Sequence, residues 1–470
     1  MTVLATSAAT AALSWTGHDT WLLTLVGISI VVVILLISWL KVHAFLALMV
    51  GAFVVSLLSG HPVAKAVDSF TNGLGGTTGK IGVLIILGAI LGRLLADSGG
   101  IDQIVRTLTR LVGPERLPWA ITLVAAIVGL PMFFEVGFVM LVPLVLQLAH
   151  RARYPVLRVG IPAMAGLATV HALVPPHPGP LIAIQAVHAT IGLTLVSGLL
   201  VAVPCAIVVG PLFTAYIWPR VKAEIPQSAL AAFTTTASDE PESASARTTP
   251  RFSVTLGTIL LPIALMILKA ICDTVQLAHG TLYSGLEFLG TPVIALLLAV
   301  LLALFTFGYS VGSSRRNVQE SLGRSFPPIA GVLAIVGAGG GYSQALQDSG
   351  VDGAIGMAAR HFHIPLLLLA WLVAALMRTA AGSGTVATVA AAGIVGPLAH
   401  GLTPTQAALL ALALGSGAAF LGHVNDAAFW MFKEYFGLSI GGTLKTWTAA
   451  HTLLSVTSLG AILLVSWVMT

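Results

Sequence analysis

Four short stretches of this chain hold polar or ionisable residues amid sequence that is almost wholly apolar. GLPMFFEVGF, Gly129 to Phe138, carries an acid, Glu135, just behind a Gly-Leu-Pro break. MRTAAGSGTVATV, Met377 to Val389, brings Arg378 and the small, hydroxyl-bearing run Gly382, Ser383, Gly384 and Thr385. HALVPPHPGP, His171 to Pro180, sets His177 between prolines, and GHVNDAAFW, Gly422 to Trp430, supplies His423, Asn425 and Asp426. Helix halves that begin at such breaks aim unpaired N–H groups and partial positive charge at whatever faces them, which suits a carboxylate. Glycines let backbone approach a ligand, and hydroxyl, amide and imidazole groups offer donors and acceptors to a polyhydroxylated molecule. The expected ligand is therefore an anionic, hydroxyl-rich small solute. His177, Arg378, Ser383, Gly384, Thr385, His423, Asn425 and Asp426 are its candidate contacts.

The elements that position these residues follow from composition. The chain has 470 residues, 57% hydrophobic and 8% charged, with a mean hydropathy of +0.98. Its apolar runs are long enough to cross a hydrocarbon core of about 30 Å. Runs such as Trp21 to Leu40 and Leu286 to Phe307 are continuously apolar, unlike the alternating segments of a β-barrel. An all-α polytopic membrane protein is the expected class. No Lys or Arg occurs in the first twenty residues, so Trp21 is read as opening a retained span, not a signal peptide. Cys205 and Cys272 both fall in apolar runs and imply neither a disulfide framework nor a metal cluster. The net charge of +5 is scattered through loops and is no nucleic-acid footprint.

Spans at Trp21 to Leu40, Val42 to Leu58 and Ile81 to Leu95 precede a long run from Pro118 to Leu148, an interrupted run from Val159 to Val187, and a span from Gly192 to Ile217. After the polar stretch Lys222 to Arg251, the order recurs with Val254 to Ile271, Leu286 to Phe307, Ile329 to Tyr342, Ile364 to Leu398, Ala407 to Phe432 and Trp447 to Val468. LADSGGIDQIV at Leu95 matches LQDSGVDGAIG at Leu346. With five crossings per half, the second half must be inverted relative to the first. The expected architecture is two inverted-topology repeats, 1–221 and 253–470, joined by a flexible cytoplasmic linker at 222–252. Each repeat holds five transmembrane helices, one re-entrant hairpin (118–148 and 364–398) and one broken helix (159–187 and 407–432). On that plan Lys and Arg gather on one face: Lys41, then Arg106 to Arg116, Arg151 to Arg158, Arg220 to Arg251 and Arg315 to Arg324, with Lys433 and Lys445. The opposite face holds only Lys65, Lys80 and Arg360, with Lys269 near a span end. The positive-inside rule then puts both termini and the loop His61 to Lys80 outside.

Non-helical backbone at membrane depth is tolerated only where it faces protein or a wet cavity, so the four breaks should converge on one site. An isolated ionised carboxylate is costly there, so Glu135 should be neutral or partnered, and able to carry a proton. Asp426 is the second candidate carrier. Structural roles compete with each assignment. Glu135 could be a permanently hydrogen-bonded acid, Asn425 and Asp426 helix caps, His177 the cap of a kink, and Ser383 and Thr385 ordinary packing residues. Arg378 is either the partner of an acid or a clamp for the solute carboxylate, and His171 reads as a core histidine.

GLPMFFEVGFVMLVPLV, VPPHPGPLIAI, GSGTVATVAAAG and HVNDAAFWMFKEYFGLSIGGTLKTWT resemble motifs of the bacterial gluconate permease (GntP) family, and the similarity covers nearly the whole chain. The resemblance implies proton symport of gluconate or a related sugar acid across the bacterial inner membrane, by alternating access and with no cofactor. D-serine or glycerate as solute, and sodium as coupling ion, stay open as alternatives. The expected partners are a sugar acid and the bilayer; a homodimer would let one scaffold stay fixed while another part moves. An intramembrane hydrolase is the remote alternative, since no H-E-x-x-H helix occurs.

Overall fold

The computed structural model describes residues 16–110, 112–151, 154–223, 248–274, 281–350, 354 and 365–469. Every regular element among them is helical. Among the described residues, eight helices are long and apolar enough to cross a membrane. Large apolar side chains, Trp39, Phe305, Leu464 and Trp467 among them, are exposed on the outer surface, where a lipid-facing wall needs them and a water-facing one does not.

The first half runs α1 (Gly17–Ile34), α2 (Ala44–Leu58), α3 (Val63–Asp97), α4 (Gly100–Arg110), α5 (Leu117–Gly129), α6 (Phe134–Arg151), α7 (Leu157–Leu173), α8 (Pro178–Ala186), α9 (Ile191–Ile207) and α10 (Phe213–Ile217). The second runs α11 (Phe252–Thr274), α12 (Thr281–Gly290), α13 (Pro292–Ala303), α14 (Arg315–Arg324), α15 (Pro327–Asp348), α16 (Leu366–Ala381), α17 (Gly384–Val395), α18 (Pro404–Ala418), α19 (Ala427–Tyr435), α20 (Ile440–Thr443) and α21 (Ala449–Met469). Element lengths recur between the halves. The 35-residue α3 answers to a 34-residue run, Arg315–Asp348, and each half closes on a 30-residue run, Ile191–Arg220 and Ile440–Met469. Residues 224–247 of the expected linker lie outside the described residues.

One expectation is corrected. The stretch His61 to Lys80, read as a loop, is helical from Val63 onward and extends the span Ile81 to Leu95 into a single helix. Its glycines weaken helix propensity, but Gly73 lies so close to Gly340 on α15 that any side chain there would collide with the Gly340 carbonyl. Packing of α3 on α15 outweighs propensity, and the polar residues of the stretch line a cavity instead of a loop.

The two long helices are clasped at both ends by the acids of the repeated DSG motif. Ser69 on α3 donates to Asp348 on α15 at 2.6 Å, and Ser321 on α14 donates to Asp97 on α3. Arg93 (2.9 Å) and Arg324 (3.7 Å) also engage Asp97. Each half thus offers its aspartate to a serine of the other.

Candidate functional site

The chain leaves helical geometry where its sequence compels it. Pro131 lies in the turn between α5 and α6, where its missing N–H removes a helical bond. The helix α7 stops at Leu173, short of Pro175 and Pro176, since a residue before proline disfavours helical backbone. Gly382 ends α16 in a left-handed conformation (φ 75°), the usual glycine role. Ser383 then caps α17, its Oγ accepting from the Val386 N–H. The second break places Leu421 at φ 48°, a strained value for a bulky residue, before Asp426 caps α19.

All four breaks contribute to one cavity of about 240 Å³. Phe134 comes from the start of α6; His171, Gly179 and Pro180 from α7 and α8; Arg378 and Gly382 to Thr385 from the α16–α17 turn, with Thr388 further along α17; and Asn425 and Asp426 from the second break. Trp447 and His451, from the final helical run, complete the wall. One water needs roughly 10–15 Å³ by this kind of measure, so a small solute fits with part of its water shell.

The central electrostatic feature is a buried ion pair. Arg378 Nη2 donates to Asp426 Oδ2 at 2.5 Å, with the residues 5% and 6% exposed. Arg378 Nη1 also donates to the Gly382 carbonyl oxygen, and Asp426 Oδ1 accepts the Ala428 N–H at 3.0 Å. Two charges this deep survive only because each has further hydrogen bonds, and removing either partner typically costs about 3–5 kcal/mol. Gly422 makes room for the pair: a Cβ there would sit 2.7 Å from Arg378 Nη2 and 2.9 Å from Asp426 Oδ2. Several buried polar atoms lack protein partners among the described residues, namely Arg378 Nε, Asn425 Oδ1 and Trp447 Nε1. Each belongs to a cavity-lining residue, and buried polar atoms left this way call for a solute or water.

Asn425 ties the second break to the α16–α17 turn, its Nδ2 donating to the carbonyls of Thr379 (2.9 Å) and Ala380 (3.3 Å). A side chain at Gly382 would collide with the Asn425 carbonyl.

The structure brings Arg378, Ser383, Gly384, Thr385, Asn425 and Asp426 together at the cavity wall. It keeps two expected residues off that wall. His423 turns its Nε2 to the Thr379 carbonyl at 3.0 Å, and buried His177 lines a small neighbouring pocket with Pro131, Met132 and Phe133. The His177 ring lies 5.1 Å from that of His171, and His171, read as a core histidine, is the one at the cavity. Glu135 is the second residue of α6, but its side chain lies outside the described residues. Phe134, Thr388, Trp447 and His451 were missed. A histidine one helical turn from a tryptophan inside an apolar run was the available signal for the last two.

A bundle of eight membrane-length helices with a buried polar cavity at paired helix breaks defines a multi-pass membrane transporter. The sequence matches the description "GntP family permease" over residues 21–468. It is 47% identical over 453 residues to a gluconate permease of Pseudomonas aeruginosa, covering 96% of this chain and 99% of that protein. Identity is 39% to a high-affinity gluconate transporter of Escherichia coli K12, covering 95% and 99%. It is 36% to the Gnt-II system L-idonate transporter of the same organism, again covering 95% and 99%. The chain belongs to the GntP permease family. Among solved structures, the YdaH transporter of Alcanivorax borkumensis, described as having an unusual topology, shares the fold with a TM-score of 0.58 at 17% identity, over 90% of this chain and 97% of that one.

Proposed function

We propose that this permease takes up gluconate or a closely related sugar acid across the bacterial inner membrane in symport with a proton, by alternating access between two inverted repeats. The observation that carries the proposal is the Arg378–Asp426 pair in the cavity wall. With the pair intact the site is neutral, and a carboxylate entering alone would bring an uncompensated charge into a low-dielectric space. A proton on Asp426 releases Arg378 to the solute carboxylate, so anion and proton enter together with no net change of charge. One proton per monovalent acid follows. The start of α17 presents its N–H groups and the Ser383 and Thr385 hydroxyls to the rest of the solute, while Asn425 Oδ1 and Trp447 Nε1 are available to its hydroxyls. Glu135 remains a second proton carrier in this scheme, from its place beside Phe134. The names of the relatives supply the solute class, gluconate and L-idonate both being six-carbon sugar acids.

Both termini are placed outside and the linker inside, from the basic loops. The reciprocal Asp97–Ser321 and Asp348–Ser69 clasps support the inverted arrangement. The test is uptake of labelled gluconate by proteoliposomes under an inward proton gradient. Wild type should accumulate unchanged gluconate, Asp426→Asn should lose gradient-driven accumulation while retaining gluconate exchange, and Glu135→Gln should show whether that acid shares the proton. Accumulation driven by sodium instead of protons would overturn the coupling. Accumulation of glycerate or D-serine but not gluconate would overturn the solute, and chemical conversion of the solute would overturn the transporter reading itself.

A further inference from the structure

A second cavity, of about 210 Å³, lies among α3, α8, α15 and α17. Its wall is polar on two long helices. Asn72, Gly73, Gly76, Thr77 and Lys80 form one stripe along α3, and Gly339, Gly340, Ser343, Gln344 and Gln347 form another along α15, both at the spacing of one helix face. Gln185 and His188 close it from the end of α8. Among the described residues the wall contains a lysine and a histidine and no carboxylate. The neighbouring acid, Asp348, is already held by Ser69 (2.6 Å) and Gln344 (2.9 Å). A further histidine, His400, stands with its ring 6.3 Å from that of His188. The buried Gln185 Oε1 has no partner among the described residues.

The two cavities are stacked along the same pair of half-helices. On α8, Gly179 and Pro180 line the central cavity while Ile182, Gln185 and Ala186 line the second. On α17, Thr388 belongs to the first and its neighbour Val389 to the second. The partition is about one helical turn thick, since three residues of helix advance about 4.5 Å. Apolar Ile182 and Val389 form its far side, and Val389 is seated so tightly against Gly339 that a side chain at Gly339 would overlap it. An apolar barrier between two polar chambers is what a closed gate requires.

We infer that the second cavity is an outer vestibule that binds a small hydroxylated carboxylate before it passes the Ile182–Val389 partition into the central site. Lys80 on a wall with no carboxylate among the described lining residues favours anions, and its amides and hydroxyls match the solute hydroxyls. Its place on the uptake route rests on the proposed direction of transport, which sets α8 to end, and α3 to begin, on the outer face.

The experiment uses the full-length protein with Cys205→Ala and Cys272→Ala and a single Ser343→Cys probe, treated from outside with an anionic or a cationic methanethiosulfonate reagent. The anionic reagent should react about three- to tenfold faster, gluconate should slow that reaction, and Lys80→Gln should abolish the preference. The same Lys80→Gln substitution, at an exposed residue that makes no contact with the central cavity, should raise the KM for uptake about three- to tenfold with maximal rate unchanged. Equal rates for the two reagents, or no protection by gluconate in a protein that transports gluconate, would overturn the vestibule and leave the proposed function standing. Protection by another hydroxylated acid in a protein that does not transport gluconate would support the vestibule and reject the gluconate assignment.

Discussion

The turn between α5 and α6 and the turn between α16 and α17 hold matching places in the element order, yet they carry opposite chemistry. The first, Leu130 to Phe133, is apolar, and its Pro131, Met132 and Phe133 pack into small pockets against α3. A Cβ on Gly92 of α3 would stand 2.8 Å from the Pro131 carbonyl oxygen and 2.9 Å from Met132. The second turn is glycine and serine, sits against Asn425, and is backed by the buried Arg378–Asp426 pair. The glycine-serine turn and the ion pair lie at the second turn, while Glu135 follows the first. A solute has a head and a tail, so a single central site has reason to be lopsided even when the frame around it is not. The first turn packs, and in the proposed function the second binds.

That contrast can be broken most decisively at the ion pair. Arg378→Ala should abolish gluconate uptake and lower stability by about 3–5 kcal/mol, because it strands Asp426 without a counter-charge. The double substitution Arg378→Met with Asp426→Leu should restore thermal stability in detergent to near wild type and leave uptake abolished. Recovery of uptake in the double variant would show that the pair is only structural.

A smaller effect is expected at the glycines flanking the two turns. Gly382→Ala forces a side chain into a left-handed conformation and into the Asn425 carbonyl, at a cost of about 1–3 kcal/mol, and should cut uptake at least tenfold. Gly92→Ala in the first half meets a tight wall as well and should cost a similar 1–3 kcal/mol by overpacking, but with the KM for gluconate unchanged. Equal changes in KM from both would mean that the first turn also touches the solute.

The smallest effect belongs to the frame, where the halves should behave alike. Asp97→Asn and Asp348→Asn each weaken one clasp and should each lower stability by roughly 0.5–1.5 kcal/mol, with transport kinetics intact. A large difference between the two, read from thermal unfolding in detergent, would show that the reciprocity is only geometric.

Much of this was legible before any coordinates. The membrane class and the positions of the breaks are local properties. An apolar run of twenty residues has no soluble alternative, and a proline or a glycine-serine pair interrupts helix wherever it falls. Asp426 was readable as a helix cap, and one of its oxygens does take the Ala428 N–H, while the other binds Arg378. The boundary of α3 was misread because nothing local marks Asn72 to Lys80 as helix. What holds that segment is the backbone-level fit of Gly73 to Gly340, some 270 residues away in sequence.

The contacts of the individual polar residues are visible only in three dimensions. Arg378 had two readings that no spacing could separate, and the choice of Asp426 as its partner depends on a contact between segments 48 residues apart. His171 and His177 are near neighbours in sequence with similar surroundings, yet one reaches the cavity and the other a pocket behind it, because the chain turns between them at the proline break. Trp447 and His451 lie in a run with nothing to distinguish it from a lipid-facing helix until α21 is seen packed against the second break. Which residues enter hydrocarbon is a matter of transfer free energy, additive along the chain and visible in composition. Which of them share a cavity depends on how separate helices meet, and that is a property of the assembled packing alone.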